Sequence, residues 1–133
     1  QYNIASNNDI VAQLDQDNVA LESIKYEKKI ERMLIKKNID FKTQEDLVKE
    51  QTNKFGKAII TPDFLLDQKI LINKKEVKWI EVKNFYGSNT NYFKKKINKQ
   101  LKRYSDKWGE GCIIFRHGIS SKLFFDNTLI ISF

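Results

Sequence analysis

Two runs of strand-forming residues, Phe64–Ile72 and Glu76–Lys83, flank the polar pair Asn73-Lys74. Apolar and β-branched runs on either side of a two-residue turn candidate read as a β-hairpin, because such short loops match the twist of antiparallel strands. No other feature constrains the fold as strongly. The hairpin decides which residues of the two runs face each other, and the remaining segments have to pack on the surface it creates. Upstream the pattern has a helical period: Leu21, Ile24, Ile30, Leu34 and Ile35 recur among charges from about Asn18 to Lys37 and predict a helix. Ile39-Asp40-Phe41 predicts a short strand. Thr43, with Asp46 three residues on, is an N-cap signal for a second helix from Gln44 to about Asn53, ended by Gly56. Downstream, Asn84–Asn91 reads as a loop, and Phe93, Ile97, Leu101, Tyr104 and Trp108 mark one face of a third helix. Gly109-Glu110-Gly111 stops that helix, Cys112–Arg116 reads as a buried strand and Leu129–Phe133 as a last one. This order predicts an α/β domain with a mixed sheet flanked by helices over 18–133. Residues 1–17 read as a polar lead-in, frayed or disordered.

With 133 residues, 41% of them hydrophobic, the chain can bury one sizeable core without disulfide or metal staples. The single cysteine, Cys112, excludes a disulfide within the chain and suggests a reducing, intracellular setting, nucleus or cytoplasm. Cys112 and the single histidine, His117, are too few for a zinc site of Cys and His ligands. No apolar run approaches the roughly 18 residues of a membrane span. The polar amino end, starting at Gln1, carries no signal-peptide pattern, and the chain reads as a fragment or processed product. Neither a Gly-rich phosphate loop nor a plausible Ser–His pairing is found, which removes nucleotide-triphosphate motifs and hydrolase triads. A net charge of +7 favours anionic partners, nucleic acid before acidic membrane or protein surfaces.

Chemistry concentrates at Thr61-Pro62-Asp63 and Glu81-Val82-Lys83. Two carboxylates on adjacent strands can share a divalent cation, since Mg²⁺ binds through one or two carboxylates and keeps several waters. On a strand, Glu81 and Lys83 point to the same face. Glu-x-Lys also occurs at Glu27–Lys29 on a helix and at Glu76–Lys78 beside the turn, but only Glu81–Lys83 ends a strand built of Val77, Trp79, Ile80 and Val82. There the charges lie against an apolar core and need a reason to be present. Taken alone they also suit a solvated strand end or a simple ion pair. If Asn73-Lys74 is the turn, Asp63 falls opposite Asn84, three positions from Glu81, an offset of about 10 Å. A bulge at Asp67-Gln68-Lys69 would shorten it. The third helix carries Lys94, Lys95, Lys96, Lys99, Lys102, Arg103 and Lys107 between Phe93, Tyr104 and Trp108. Beside a metal site that pattern suits salt-sensitive, sequence-indifferent phosphate contacts, the alternative being a solvated helix face.

Pro-Asp, a hairpin and then Glu-x-Lys resembles the signature of the PD-(D/E)XK nuclease superfamily. More narrowly, Thr61–Leu66, Trp79–Lys83 with Gly87, and Gly109–Phe115 with Gly118 resemble the TPD-motif family, supported by Ser23–Glu27 and Gln100–Tyr104. The resemblance implies a restriction-endonuclease-like fold and Mg²⁺- or Mn²⁺-dependent hydrolysis of DNA, branched or with free ends. It implies that Asp63 and Glu81 ligate the metal with the Val82 carbonyl, and that Lys83 assists the water. It aligns Glu27 with a first-helix Glu that reaches the metal site, the alternative being a solvated helix charge. It aligns Gln100 with a Gln that contacts Lys83 or a phosphate, the alternative being a surface polar residue. Lys94, Lys95, Lys99, Lys102 and Arg103 become nucleic-acid contacts, and a protein partner of the codanin-1 type follows from family resemblance. The competing expectation is a catalytically silent nucleic-acid- or protein-binding module of the same fold. Departures from the family pattern are Asn84-Phe85-Tyr86 in place of a smaller run, a longer Asn53–Ile60 segment, and Arg116-His117 in place of an aromatic pair.

Overall fold

The computed structural model describes residues 2–133, with side chains from residue 16 onward. Helix α1 spans Tyr2–Lys36, so the backbone of most of the segment read as a lead-in belongs to this helix, while nearly all of that segment's side chains lie outside those described. The face of α1 that packs is Tyr26, Ile30 and Leu34, whose four-residue spacing keeps them on one stripe. Leu21, Ile24 and Ile35, expected in the same stripe, are exposed because they stand off it. Asn38 takes a left-handed φ of 57° and the Ile39 amide donates to Leu34 O, so the helix closes and strand β1 begins at Phe41–Thr43, two residues later than expected.

Thr43 and Asp46 form the anticipated capping box, each side chain accepting the other residue's amide, at the start of helix α2 (Gln44–Phe55). Gly56 ends that helix at φ 81°, a conformation that costs a residue with a Cβ about 1–2 kcal/mol. Strands β2 (Phe64–Ile72) and β3 (Lys75–Lys83) form the hairpin. Asn73 and Lys74 both have positive φ, 49° and 68°, as a mirror-image two-residue turn requires.

Helix α3 (Asn91–Trp108) connects β3 to strand β4 (Gly111–Phe115), and strand β5 (Thr128–Ser132) lies at the edge. The five strands order β1-β2-β3-β4-β5, antiparallel up to β3 and parallel from β3 to β5. The α/β expectation is met by a mixed sheet covered on two faces. On one face Phe64, Leu66, Val77, Ile80, Cys112 and Ile114 meet α1; on the other Trp79, Ile113 and Phe115 meet Ile97, Leu101 and Tyr104 of α3. Gly111 is required at the start of β4, because a Cβ there would sit 2.0 Å from the Trp79 ring.

The register of the hairpin changes along its length. Near the turn Ile72 pairs with Lys75 and Ile70 with Val77, but further on Leu65 pairs with Trp79 and Phe64 with Ile80. Between Ile70 and Leu65 β2 takes five steps while β3 takes two, so three extra residues bulge out of β2 at Asp67-Gln68-Lys69. The Lys78 ammonium donates to Asp67 O at 2.8 Å and the Asp67 amide to Asp40 O, which satisfies backbone groups the bulge frees. One step beyond Phe64 and Ile80, Asp63 stands opposite Glu81 rather than Asn84.

Candidate active site

Asp63 and Glu81 are both buried, at 8% and 4% exposure, on the α3 side of the sheet. The Asp63 amide donates to Glu81 Oε1 (3.1 Å) and the Val82 amide to Asp63 Oδ2 (2.7 Å), so each carboxylate is held by the other strand's backbone. Burial, and for Glu81 the neighbouring Asp63 charge, raise the proton affinity of both carboxyls. Two like charges so close in a dry site cannot both ionise cheaply without a cation.

Lys83 lies on the same face, as the strand period requires. Its ammonium contacts Glu81 Oε2 at 3.2 Å and donates to Gln100 Oε1 at 3.0 Å. Gln100 in turn donates from Nε2 to the Tyr104 hydroxyl at 3.1 Å, which orients its amide so that the oxygen faces Lys83. Tyr104 is packed edge-on against Trp79 and buried. An ammonium has three donors and two are engaged, leaving one for a further acceptor.

Among the described residues no group of three or more His, Cys, Asp or Glu side chains could hold a metal ion. The donor set here is smaller: the two carboxylates and the main chain. Within a strand the N–H and C=O of one residue point to the same side, so the Val82 carbonyl is directed to the edge of β3 where its amide meets Asp63. Two carboxylates with a carbonyl make a hard oxygen set that suits Mg²⁺ or Mn²⁺, and the mutual repulsion of the carboxylates favours positive charge between them.

Glu27 lines a cleft of about 490 Å³ between α1 and the start of α2, with Glu31, Glu45, Asp46 and Phe64. Burial first and the Asp63 charge second push its carboxyl up to about 7, which puts Glu27 within the electrostatic field of Asp63. The cationic residues of α3 divide between two faces. Lys96, Arg103 and Lys107 are four, three and seven residues from Gln100 and share its flank, with Lys99 beside them. Lys94 and Lys95 instead line a separate depression, and Lys102 continues that face. Arg103 also donates to Ile59 O at 2.7 Å, so part of its guanidinium is already bound within the protein.

Sequence reasoning missed Gln51. Its buried amide accepts from Ile59 N (2.7 Å) and Ile60 N (3.0 Å) and donates to Ile60 O (2.6 Å). Gln44 adds a backbone bond to Asp63 O and a side-chain bond to Thr61 O. Together with Arg103 they suspend the segment entering Asp63 from α2 and α3. A polar residue four positions after Leu47, on the buried stripe of α2, was the available signal. The Cys112 thiol takes no part; burial pushes it up to about 12.

A protein of Acanthamoeba polyphaga mimivirus described as uncharacterized is 34% identical to the chain over 113 residues, covering 82% of this chain and 39% of the viral protein. The chain thus spans about two fifths of that relative's length. No solved structure matches it. The family model described as "Protein of unknown function TPD sequence-motif" matches residues 2–132, which include Thr61-Pro62-Asp63 with its buried carboxylate, and the chain therefore belongs to the TPD sequence-motif family.

Proposed function

We propose that the chain is a metal-dependent nuclease of the PD-(D/E)XK type on a restriction-endonuclease-like fold, hydrolysing phosphodiester bonds in DNA. The observation that carries this reading is the alignment of Asp63 with Glu81 by a three-residue bulge, with Lys83 hydrogen-bonded into the same buried network. A structural ion pair needs only one carboxylate; burying a second beside it raises the cost and leaves a cation-shaped deficit.

Asp63, Glu81 and the Val82 carbonyl would hold Mg²⁺ or Mn²⁺, which when bound lowers the pKa of a water and neutralises phosphate charge. Lys83 donates from its ammonium into this network, so it is placed to orient the water or a phosphate oxygen. Gln100 fixes the ammonium, and Tyr104 fixes Gln100. Lys96, Lys99 and Lys107 on the same flank of α3 supply phosphate contacts whose strength falls with salt. Glu27 is placed to receive a proton near neutral pH, because its carboxyl sits at about 7.

One contact favours a second reading, a catalytically silent binding module: the Lys83 ammonium closes onto Glu81 at 3.2 Å. Cleavage of DNA in Mg²⁺ or Mn²⁺ by the wild type, Asp63→Ala and Lys83→Ala separates the two. The nuclease reading expects losses of roughly 10²- to 10⁴-fold in cleavage for either variant with DNA binding in EDTA nearly intact. A wild type that binds DNA but shows neither metal binding by calorimetry nor cleavage would leave the silent module.

A further inference from the structure

Phe124 is 65% exposed although both its neighbours, Leu123 and Phe125, are buried in the core cluster with Ile97 and Leu101 of α3. The loop that carries it is tied down: the Leu123 amide donates to Ser120 O at 3.1 Å and Thr128 Oγ1 to Asp126 O at 3.0 Å. The ring is thus held outward by anchored neighbours. It faces a depression of about 490 Å³ whose other walls are Asn91, Lys94, Lys95, Asn98 and Asp126. On α3 these residues recur at three- and four-residue intervals and lead on to Lys102, forming a track distinct from the Lys96–Gln100–Arg103 flank beside the carboxylates.

We infer that this depression is a second nucleic-acid site, in which one unpaired nucleotide of a single strand stacks its base on Phe124 while Lys94 and Lys95 hold its phosphates. The lining distinguishes this ligand from a plain anion. Two ammonium groups suit phosphate, but a bare phosphate site would not also present the Asp126 carboxylate. Asp126, Asn91 and Asn98 together offer acceptors and donors of the kind a base edge needs, and every base has a face that stacks on an aromatic ring. In a duplex the base faces are covered by their neighbours, so Phe124 selects unpaired nucleotides. The site deepens the nuclease proposal, on whose nucleic-acid reading it rests: α3 would grip an unpaired strand on one face and present phosphate contacts to the carboxylate site on the other.

The test uses a single-stranded oligonucleotide carrying 2-aminopurine, titrated with the whole chain in EDTA so that no cleavage occurs, with a duplex as control. The wild type is expected to quench 2-aminopurine on binding. Phe124→Ala weakens single-strand binding roughly 5- to 100-fold and abolishes the quench, while Phe124→Trp keeps both. The double change Lys94→Ala and Lys95→Ala flattens the salt dependence by about 0.7 in log–log slope for each phosphate it leaves unneutralised. Unchanged affinity and quench in Phe124→Ala would overturn the site, as would a wild type that fails to bind the oligonucleotide. Running the metal-dependent cleavage assay on the same samples separates the two proposals. Cleavage with an unaffected Phe124→Ala removes this site and keeps the nuclease. A weakened Phe124→Ala with no cleavage by the wild type keeps this site and removes the nuclease.

Discussion

At its turn end the β2–β3 hairpin pairs Ile72 with Lys75 and Ile70 with Val77, as the Asn73-Lys74 turn dictates, whereas at its other end Leu65 pairs with Trp79 and Phe64 with Ile80. The first end is regular and carries no chemistry. The second is displaced by three residues relative to the first, and the displacement brings Asp63 opposite Glu81. A two-residue turn sets the register only as far as the ladder stays regular. Beyond the bulge the register is set by what the residues pack against: Phe64 and Leu66 in the α1-side core, Leu65 against the α3-side core.

Moving the tripeptide Asp67-Gln68-Lys69 from the bulge to between Asp63 and Phe64 is the most direct way to break this difference. The transposition keeps Phe64 and Leu65 opposite Ile80 and Trp79, lets the turn's register run the length of the hairpin, and slides Asp63 away from Glu81 by three positions, about 10 Å. Metal-dependent cleavage is expected to fall by more than about 100-fold, since even a 1 Å misplacement can cost that much. Circular dichroism should still report a folded α/β chain, and retained cleavage would show that the bulge does not build the site.

Gln51→Ala acts on the same end from outside the sheet. It strips two amides and a carbonyl of their partner. The expected cost is on the order of 2 kcal/mol in urea unfolding, with weaker Mn²⁺ binding by calorimetry. Gln68→Ala, in the bulge and exposed, is expected to stay within about 0.5 kcal/mol of wild type.

The carboxylate end should also respond to pH. Asp63, Glu81 and Glu27 have proton affinities raised in the folded state, by burial first in each case. The folded chain therefore holds protons that the unfolded chain releases, a stabilisation fully present below the ordinary carboxylate range and lost as pH rises through about 8 for Glu81. Asp46, lowered by its cap hydrogen bonds, has the opposite sign and loses its contribution in acid, below its ordinary range. In EDTA the Tm is expected to fall between about pH 5 and pH 8, and added Mn²⁺ should reverse the fall at the alkaline side. Glu81→Gln should flatten the slope. A flat wild-type profile would contradict the burial of two like charges.

The smallest effect belongs to the turn. Lys74 holds a φ of 68° that glycine adopts without strain, so Lys74→Gly should raise stability by about 0.5–1 kcal/mol in urea unfolding. Cleavage should not change, because nothing at the turn reaches the carboxylates.

Much of the fold was legible. The capping box at Thr43, the Gly56 stop, the hairpin turn and the apolar face of α3 all rest on residues within one or two turns of each other, where local sterics and hydrogen bonding decide. The same holds for Glu81 and Lys83 sharing a face. The stripe on α1 was only partly legible, since Leu21, Ile24 and Ile35 have helical spacing but stand off the face that meets the sheet. For the site, the carboxylates and Lys83 stood out because charge at a strand end beside a core demands a partner. Gln51 and Tyr104 did not, because a polar group on a helix face shows its role only once its partners are folded against it: Ile59 and Ile60 for Gln51, and for Tyr104 the Gln100 amide that faces Lys83.

The sequence by itself thus determined the elements, the order in which they follow and the identity of the charged groups, since each depends on short-range spacing. Only the tertiary structure decided that Asp63 meets Glu81, that the lysines of α3 fall on two faces with different neighbours, and that Phe124 is held outward. These depend on which surfaces are buried together. A bulge of three residues or a rotation of one helix changes such a juxtaposition by several ångströms without altering any local signal.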